Sequence, residues 1–336
     1  MIIIVDAMGG DNAPSDIVKG CIDAVIERKG FEITLLGDEK KINRIINEND
    51  YSGNRICTIH TSEQILNDDM PTKAIKNKKD SSMVTGLNML KEGNGDVFIS
   101  AGNTGALMTG ALLIVGRIKG IDRPALAPLI PTKKGAAMII DAGLNTVCKP
   151  INFQQFAIIG SIYMKEMYNI KEPIVGLINV GTEETKGNET VRQAHSILSS
   201  SNINFVGNIE GRCITEGKVD VVVCDGFVGN VLLKFLEGVG SFIFGELMGI
   251  FKKNIFNKIS ASLLKKDIKK FSQRLNYEEY GGTPILGING IVVKCHGSSS
   301  AKTIKNTIFK SYTFSKTSFI KQIEQEFINM EVEDVE

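Results

Sequence analysis

The chain has 336 residues and a formal net charge of +1, with 43% apolar and 23% charged residues, the balance of an ordinary globular protein. That length allows one large α/β domain or two smaller ones, and near-neutrality excludes a nucleic-acid binder that works by bulk charge. Six cysteines stand singly, with no Cys-x-x-Cys pair and no His/Cys cluster at metal spacing, so free thiols in an intracellular enzyme without a metal centre are expected.

The N-terminal apolar run stops at Asp6 and has no basic leader. No stretch is expected to reach the apolar length of a membrane span, so a cytoplasmic protein is the expectation. In chain order, apolar runs predict strands at 2–6, 33–37, 56–59, 97–100, 137–141, 174–179, 204–206, 219–224 and 291–295. Periodic segments between them predict helices at 15–27, 82–92, 104–115, 153–167 and 189–198. Many of the strands are continuously apolar, which suits a sheet covered on both faces. The alternation predicts a doubly wound α/β/α sandwich with a mostly parallel sheet, in a single domain over 1–336. No internal repeat and no linker divides it.

One segment breaks the rhythm. From 231 to 275 there is no strand signal, and Leu247, Phe251, Ile255 and Ile259, then Leu264, Ile268, Phe271 and Leu275, fall at helical spacing. Lys252, Lys253, Lys258, Lys265, Lys266, Lys269, Lys270 and Arg274 face one acid, Asp267. Two helices joined near 260–262 are expected to form an amphipathic hairpin projecting from the body. Its basic face is either simply solvated, with the pair packing a dimer, or a surface for an acidic protein or an anionic membrane; the two are compatible. Leu263 and Leu264, beside Lys265 and Lys266, form a small apolar wedge near the expected tip.

Ligands of doubly wound sheets bind where strands end and glycine-rich turns lead into helices. Three such turns stand out. The first runs from Asp6 through Gly9 and Gly10 to Pro14, with Pro14 suited to the first helical turn and Asn12 a possible cap. The second is Ser100-Ala-Gly-Asn-Thr-Gly105, where Gly102 and Gly105 allow close backbone approach and Asn103 and Thr104 offer donors. The third is His296-Gly297-Ser298-Ser299-Ser300. Each can aim backbone N–H groups at an anion, and three together point to an anion-binding cleft. None matches a dinucleotide or P-loop fingerprint.

Two further segments add polar groups. The stretch 179–188 carries Lys186, either a phosphate or oxyanion partner or an ordinary exposed lysine. The run 220–230 ends a strand at Asp225 and reaches Asn230, which either caps the long helix or aims its amide at a reacting carbonyl. Cys224, ending the same strand, reads as packing. There is no Gly-x-Ser-x-Gly elbow, and His60, His195 and His296 are the only histidines. Chemistry without a protein nucleophile fits, with phosphate supplying the attacking oxygen and the protein supplying position and charge stabilisation.

Seven segments occur in the order DAMGGDNAP, DDMPTKAIKNKKDSSM, SAGNTGALM, DRPALAP, NVGTEETKGN, EGRCITEGKVDVVVCDGFVGNVLLK and YGGTPILGINGIVVKCHGSSSAK, from residue 2 to about 302. Together they resemble the phosphate acyltransferase family of bacterial phospholipid synthesis. The resemblance implies transfer of a fatty acyl group from acyl-acyl carrier protein to inorganic phosphate, giving acyl phosphate that a membrane glycerol-3-phosphate acyltransferase consumes. It implies a fold similar to the isocitrate/isopropylmalate dehydrogenase type and to phosphotransacetylases. It also implies a homodimer, peripheral membrane association through the hairpin, and no cofactor. The active-site lysine and asparagine then fall on Lys186 in ETKGN and Asn230 in GFVGN. The chain departs from the pattern at Leu144, Thr182 and Cys213.

Rival readings are a coenzyme A-dependent phosphotransacetylase-like enzyme, a metal- and NAD-dependent decarboxylating dehydrogenase, and a non-enzymatic scaffold for lipid synthesis docked on a membrane.

Overall fold

A computed structural model describes residues 1–268, 271 and 281–333. The strands fall into two mostly parallel sheets. The first runs β3 (Ile56–His60), β2 (Glu32–Gly37), β1 (Ile2–Asp6), β4 (Val97–Ser100), β12 (Ile291–Lys294), β11 (Thr283–Leu286) and β5 (Ala125–Leu126). The second runs β6 (Leu129–Thr132), β7 (Gly135–Ile140), β10 (Val221–Val223), β8 (Val175–Ile178) and β9 (Phe205–Ile209). The described helices are α1 (Ser15–Glu27), α2 (Glu39–Glu48), α3 (Pro71–Asn77), α4 (Ser82–Lys91), α5 (Thr104–Gly110), α6 (Pro150–Tyr168), α7 (Glu189–Ser200), α8 (Gly211–Ile214), α9 (Gly226–Lys252), α10 (Ile255–Leu263), α11 (Ala301–Phe314) and α12 (Phe319–Glu333).

The mixed α/β class expected from the apolar runs is what the chain adopts, with its strands divided between two sheets. Period-two geometry explains why those runs are continuously apolar. Ile3 and Val5 of β1 face Ile17, Ile22 and Val25 of α1 and Ile304 and Ile308 of α11. Ile4, between them, faces Phe98, Met83 of α4 and Leu107 of α5. In the second sheet Val221 and Val223 pack with Phe153 and Phe156 of α6, while Val222 packs with Ile214 and, on α9, Leu232 and Leu236. Each such side chain contributes about 1.5–3 kcal/mol by leaving water. One cluster draws on both sheets, joining Leu286 of β11 and Phe314 of α11 to Met138, Ile140 and the second sheet's helices.

The topology decides where loops go. β1, β4 and β12 are adjacent and mutually parallel, so the three glycine-rich turns leave the same edge of the first sheet. β7, β10 and β8 are likewise adjacent and parallel, so the segments after them leave one edge of the second.

The long apolar segment differs from its sequence reading in two ways. α9 is one continuous 27-residue helix with a mean hydropathy of 1.5 over its most apolar window, so by length and composition it could cross a membrane. That corrects the expectation that no stretch reaches such a length. The helix break lies at Lys253 and Asn254, not at 260–262, because the Asn254 side chain accepts from the Asn257 amide at 2.8 Å and starts α10. Residues 260–262 are inside α10. Leu263 and Leu264 are 83% and 47% exposed, at the end of α10. Lys269, Lys270, Arg274 and Leu275 lie outside the described residues.

Candidate active site

The three turns of the first sheet meet. A Cβ on Gly9 would stand 2.6 Å from the Gly102 amide nitrogen, and one on Gly10 would stand 2.9 Å from the Gly297 carbonyl oxygen. Gly10 has φ of 107°, a backbone that glycine alone adopts cheaply. The Asp11 amide donates to the Gly297 carbonyl at 2.7 Å, and Asn12 donates to the Ser298 and Ser299 carbonyls at 3.2 and 3.4 Å. Asn12 thus ties the first turn to the third instead of capping α1, whose N-cap position is Pro14.

Asp6 organises this convergence from beneath. It is buried, and its carboxylate accepts from Ser82 Oγ at 2.6 Å, Ser100 Oγ at 2.7 Å and the Met8 amide at 3.1 Å. Burial raises its carboxyl above the usual range, against the lowering effect of those hydrogen bonds. Its side chain therefore holds two turns together rather than facing outward. Asn103 is likewise engaged: its Oδ1 accepts from Ala106 N at 2.9 Å, capping α5, and its Nδ2 donates to the carbonyls of Leu66, Asn67 and Asp69. Gly105 packs on Pro71, while Thr104 is exposed.

In the third turn the His296 Nδ1 and Ser298 Oγ are 2.8 Å apart. Ser299 is buried, with its hydroxyl unpartnered among the described residues. Several turn amides are already used: Met8 on Asp6, Gly102 on Ser100 Oγ, Ser298 on His296 Nδ1 and Ser299 on the His296 carbonyl.

The second sheet repeats the device. Asp141, at the end of β7, is fully buried and accepts from the amides of Leu126, Leu144 and Asn145 at 2.8, 3.0 and 2.6 Å and from Asn145 Nδ2 at 3.0 Å. Burial pushes its carboxyl up as well. The Asn145 carbonyl in turn accepts from the Gly226 amide at 2.7 Å, fixing the start of α9. Asp225 caps that helix by accepting from Val228 N at 2.8 Å. Asn230 is therefore not the cap. It lies in the second turn of α9, with its side-chain atoms 3.6 Å from where a Cβ on Gly143 would be.

A cavity of about 330 Å³ is lined by Thr104 and His296 from the turns of the first sheet and by Ala142, Gly143 and Asn230 from the second, while Gly9, Gly10, Gly102, Gly297, Ser298 and Ser299 are not among its lining residues. Asn230, Thr104, His296, Lys234 and Lys294 give it polar wall. Leu126, Pro128, Leu129, Leu233 and Phe314 give it apolar wall, and Lys310 and Tyr163 also line it. Burial lowers the Lys310 ammonium to about 8. Lys186 is exposed in the turn after β8 and is not among the lining residues; its backbone is held by Glu183 and Asn179. Cys224 is buried against the Asp141 carbonyl, and burial pushes its thiol well up, as a packing role requires.

A family model described as fatty acid synthesis protein matches residues 1–322. A phosphate acyltransferase of Acetivibrio thermocellus is 61% identical over 336 residues, covering 100% of this chain and 99% of the relative. The chain belongs to the phosphate acyltransferase family. Another family member, from Alkaliphilus oremlandii, is 49% identical and covers 97% of both chains. Among solved structures, a phosphotransacetylase from Streptococcus pyogenes superimposes with a TM-score of 0.62 at 16% identity, covering 94% of both chains, a likeness of fold. As a phosphate acyltransferase family member, the chain is an acyltransferase enzyme.

Sequence reasoning missed Asp141, Lys294 and Lys310. A signal for Asp141 was present: Ile-Ile-Asp-Ala at 139–142 echoes Ile-Val-Asp-Ala at 4–7, each ending a buried strand. Lys294 lies within the segment YGGTPILGINGIVVKCHGSSSAK and Lys310 in no such segment, and only packing reveals that both line the cavity.

Proposed function

We propose that this chain transfers a fatty acyl group from acyl-acyl carrier protein to inorganic phosphate, releasing acyl phosphate and the carrier thiol. The observation that carries this reading is the cavity, polar at Asn230, Thr104 and His296 and apolar along Leu126, Leu129, Leu233 and Phe314. A phosphate oxygen attacks the thioester carbonyl carbon, and the carbonyl oxygen takes the negative charge of the tetrahedral intermediate. The Asn230 amide donates to that oxyanion. Collapse breaks the C–S bond, and the thiolate leaves with the carrier. Lys186, on a flexible four-carbon stem in the neighbouring turn, offsets the phosphate charge.

The experiment incubates purified protein with long-chain acyl-acyl carrier protein and phosphate and detects acyl phosphate. Acyl-coenzyme A is the parallel donor. Turnover with the coenzyme A thioester alone favours the phosphotransacetylase-like reading.

The same proposal includes a homodimer. Val231, Phe235, Gly238, Phe242, Gly245 and Gly249 recur at four- and three-residue spacing along α9. The three phenylalanine and valine positions are exposed, and nothing stands within 4 Å of a Cβ at the glycines. That spacing is the seam by which a second helix packs at a shallow angle. Peripheral contact with an anionic membrane through Leu263 and Leu264 would deliver acyl phosphate to a membrane glycerol-3-phosphate acyltransferase.

A further inference from the structure

We propose that Lys294 is the phosphate-binding cation inside the cavity, its ammonium group holding the non-attacking phosphate oxygens beside the glycine-rich turns. The inference rests on the reading of phosphate as acyl acceptor.

Lys294 is the last residue of β12, paired in register with Ser100 of β4. It thus stands between the second and third turns. It lines the cavity together with Thr104, Asn230 and His296, which the exposed Lys186 does not. Its ammonium donates to two backbone carbonyls, Ala101 at 3.5 Å and its neighbour Cys295. No carboxylate lies within ion-pair distance of it among the described residues. Lys234, which also lines the cavity, is different: Glu237 answers it at 2.7 Å.

A partly buried cation held only by carbonyls keeps most of its desolvation cost, and an arriving anion relieves that cost. The turns cannot supply all the compensation themselves, because the amides of Met8, Gly102, Ser298 and Ser299 already have internal partners. A side-chain charge is the remaining means. Burial lowers the Lys294 ammonium, while Cys295, Asp6 and Asp11 act to raise it and Lys234 to lower it. His296, Glu237 and Lys310 line the same cavity, and burial lowers the Lys310 ammonium to about 8, so it too titrates on the alkaline side. Lys294 therefore loses its proton at a less alkaline pH than a free lysine, and phosphate affinity should fall there.

The test is calorimetric titration of the full chain with inorganic phosphate, which needs no acyl donor. Replacing a charge-assisted hydrogen-bonding group typically weakens binding roughly ten- to a hundredfold. Lys294→Met should show that loss while KM for the acyl donor stays within about twofold of wild type. In a Lys310→Met background, Lys294→Arg, whose guanidinium does not titrate, should bind phosphate and lose the alkaline decline. Lys294→Met binding phosphate as wild type does overturns the proposal. So does an alkaline decline that persists in Lys294→Arg with Lys310→Met, and that double variant compared with Lys310→Met alone decides the matter if the Lys294→Met protein does not fold. Wild-type protein that binds phosphate through Lys294 yet makes no acyl phosphate from either thioester refutes the functional reading and leaves this one standing.

Discussion

Gly9 and Gly102 approach so closely that a Cβ on Gly9 would lie 2.6 Å from the Gly102 nitrogen and 2.5 Å from Asp6 Oδ2. Backbone and a buried carboxylate occupy that space, and neither can swing aside. Gly9→Ala should destabilise the protein by about 1–3 kcal/mol through overpacking, read as a lower urea midpoint with an unchanged slope. An unchanged midpoint would show that the two turns separate freely, and the convergent anion site would lose its physical basis.

Asn230 sits on α9 without capping it, so its side chain is available for chemistry. Asn230→Ala should cut turnover by about 10²–10³, the usual loss for one oxyanion donor, with melting unchanged. Lys186→Ala should also lower turnover strongly, since its exposed side chain supports no core. Near-normal rates in both variants would remove the pair from the mechanism.

Asn103 does two separable jobs. Asn103→Ala removes both the α5 cap and the donors to the Leu66, Asn67 and Asp69 carbonyls. Asn103→Asp keeps an acceptor for Ala106 N and removes only the donors. The alanine variant should lose about 1–3 kcal/mol and the aspartate variant less, by chemical denaturation. Equal losses would mean that the cap contributes nothing.

Lys310 predicts a pH signature. Its ammonium is lowered from 10.5 to about 8 by burial, so between those values the unfolded chain holds more protons than the folded one. Stability from this group therefore rises with pH across that window. Thiols raised by burial act in the opposite sense above their ordinary range, half-buried Cys148 among them, pushed up to about 12. The difference between wild type and Lys310→Met cancels those thiols. That difference should grow in favour of wild type from pH 8 to 10, and a flat difference would place the Lys310 amine in water.

At the end of α10, replacing both Leu263 and Leu264 with Glu should release the protein from anionic vesicles while leaving acyl transfer in solution nearly unchanged. Each nearby lysine contributes roughly 1 kcal/mol to such adsorption, so rising salt should weaken wild-type binding too. A double variant that still sediments with vesicles excludes these residues as the anchor. One that dissociates into monomers assigns them to the subunit interface.

By itself, the sequence determined the class of fold and the places where chemistry gathers. Runs such as Ile-Ile-Ile-Val and Val-Val-Val are apolar at every position because both faces of their strands are covered, and that pattern is local. Glycines before helices are legible for the same reason: the backbone needs them wherever the rest of the chain lies. The short strands were not legible: Leu129–Thr132 and Thr283–Leu286 are brief antiparallel additions to the strand that follows each, and Ala125–Leu126 is a two-residue edge held by Thr283–Leu286 far along the chain.

The roles of individual polar groups were settled only by tertiary structure. Asp6 and Asn103 look like ligand contacts in the sequence and Asn12 like a helix cap, yet their side chains are spent on distant turns that no local pattern reveals. Lys294 reads as the polar end of a strand and becomes a cavity cation only because β12 inserts beside β4. Hydrogen bonding and desolvation depend on what stands opposite a group in space, and chain order does not encode that.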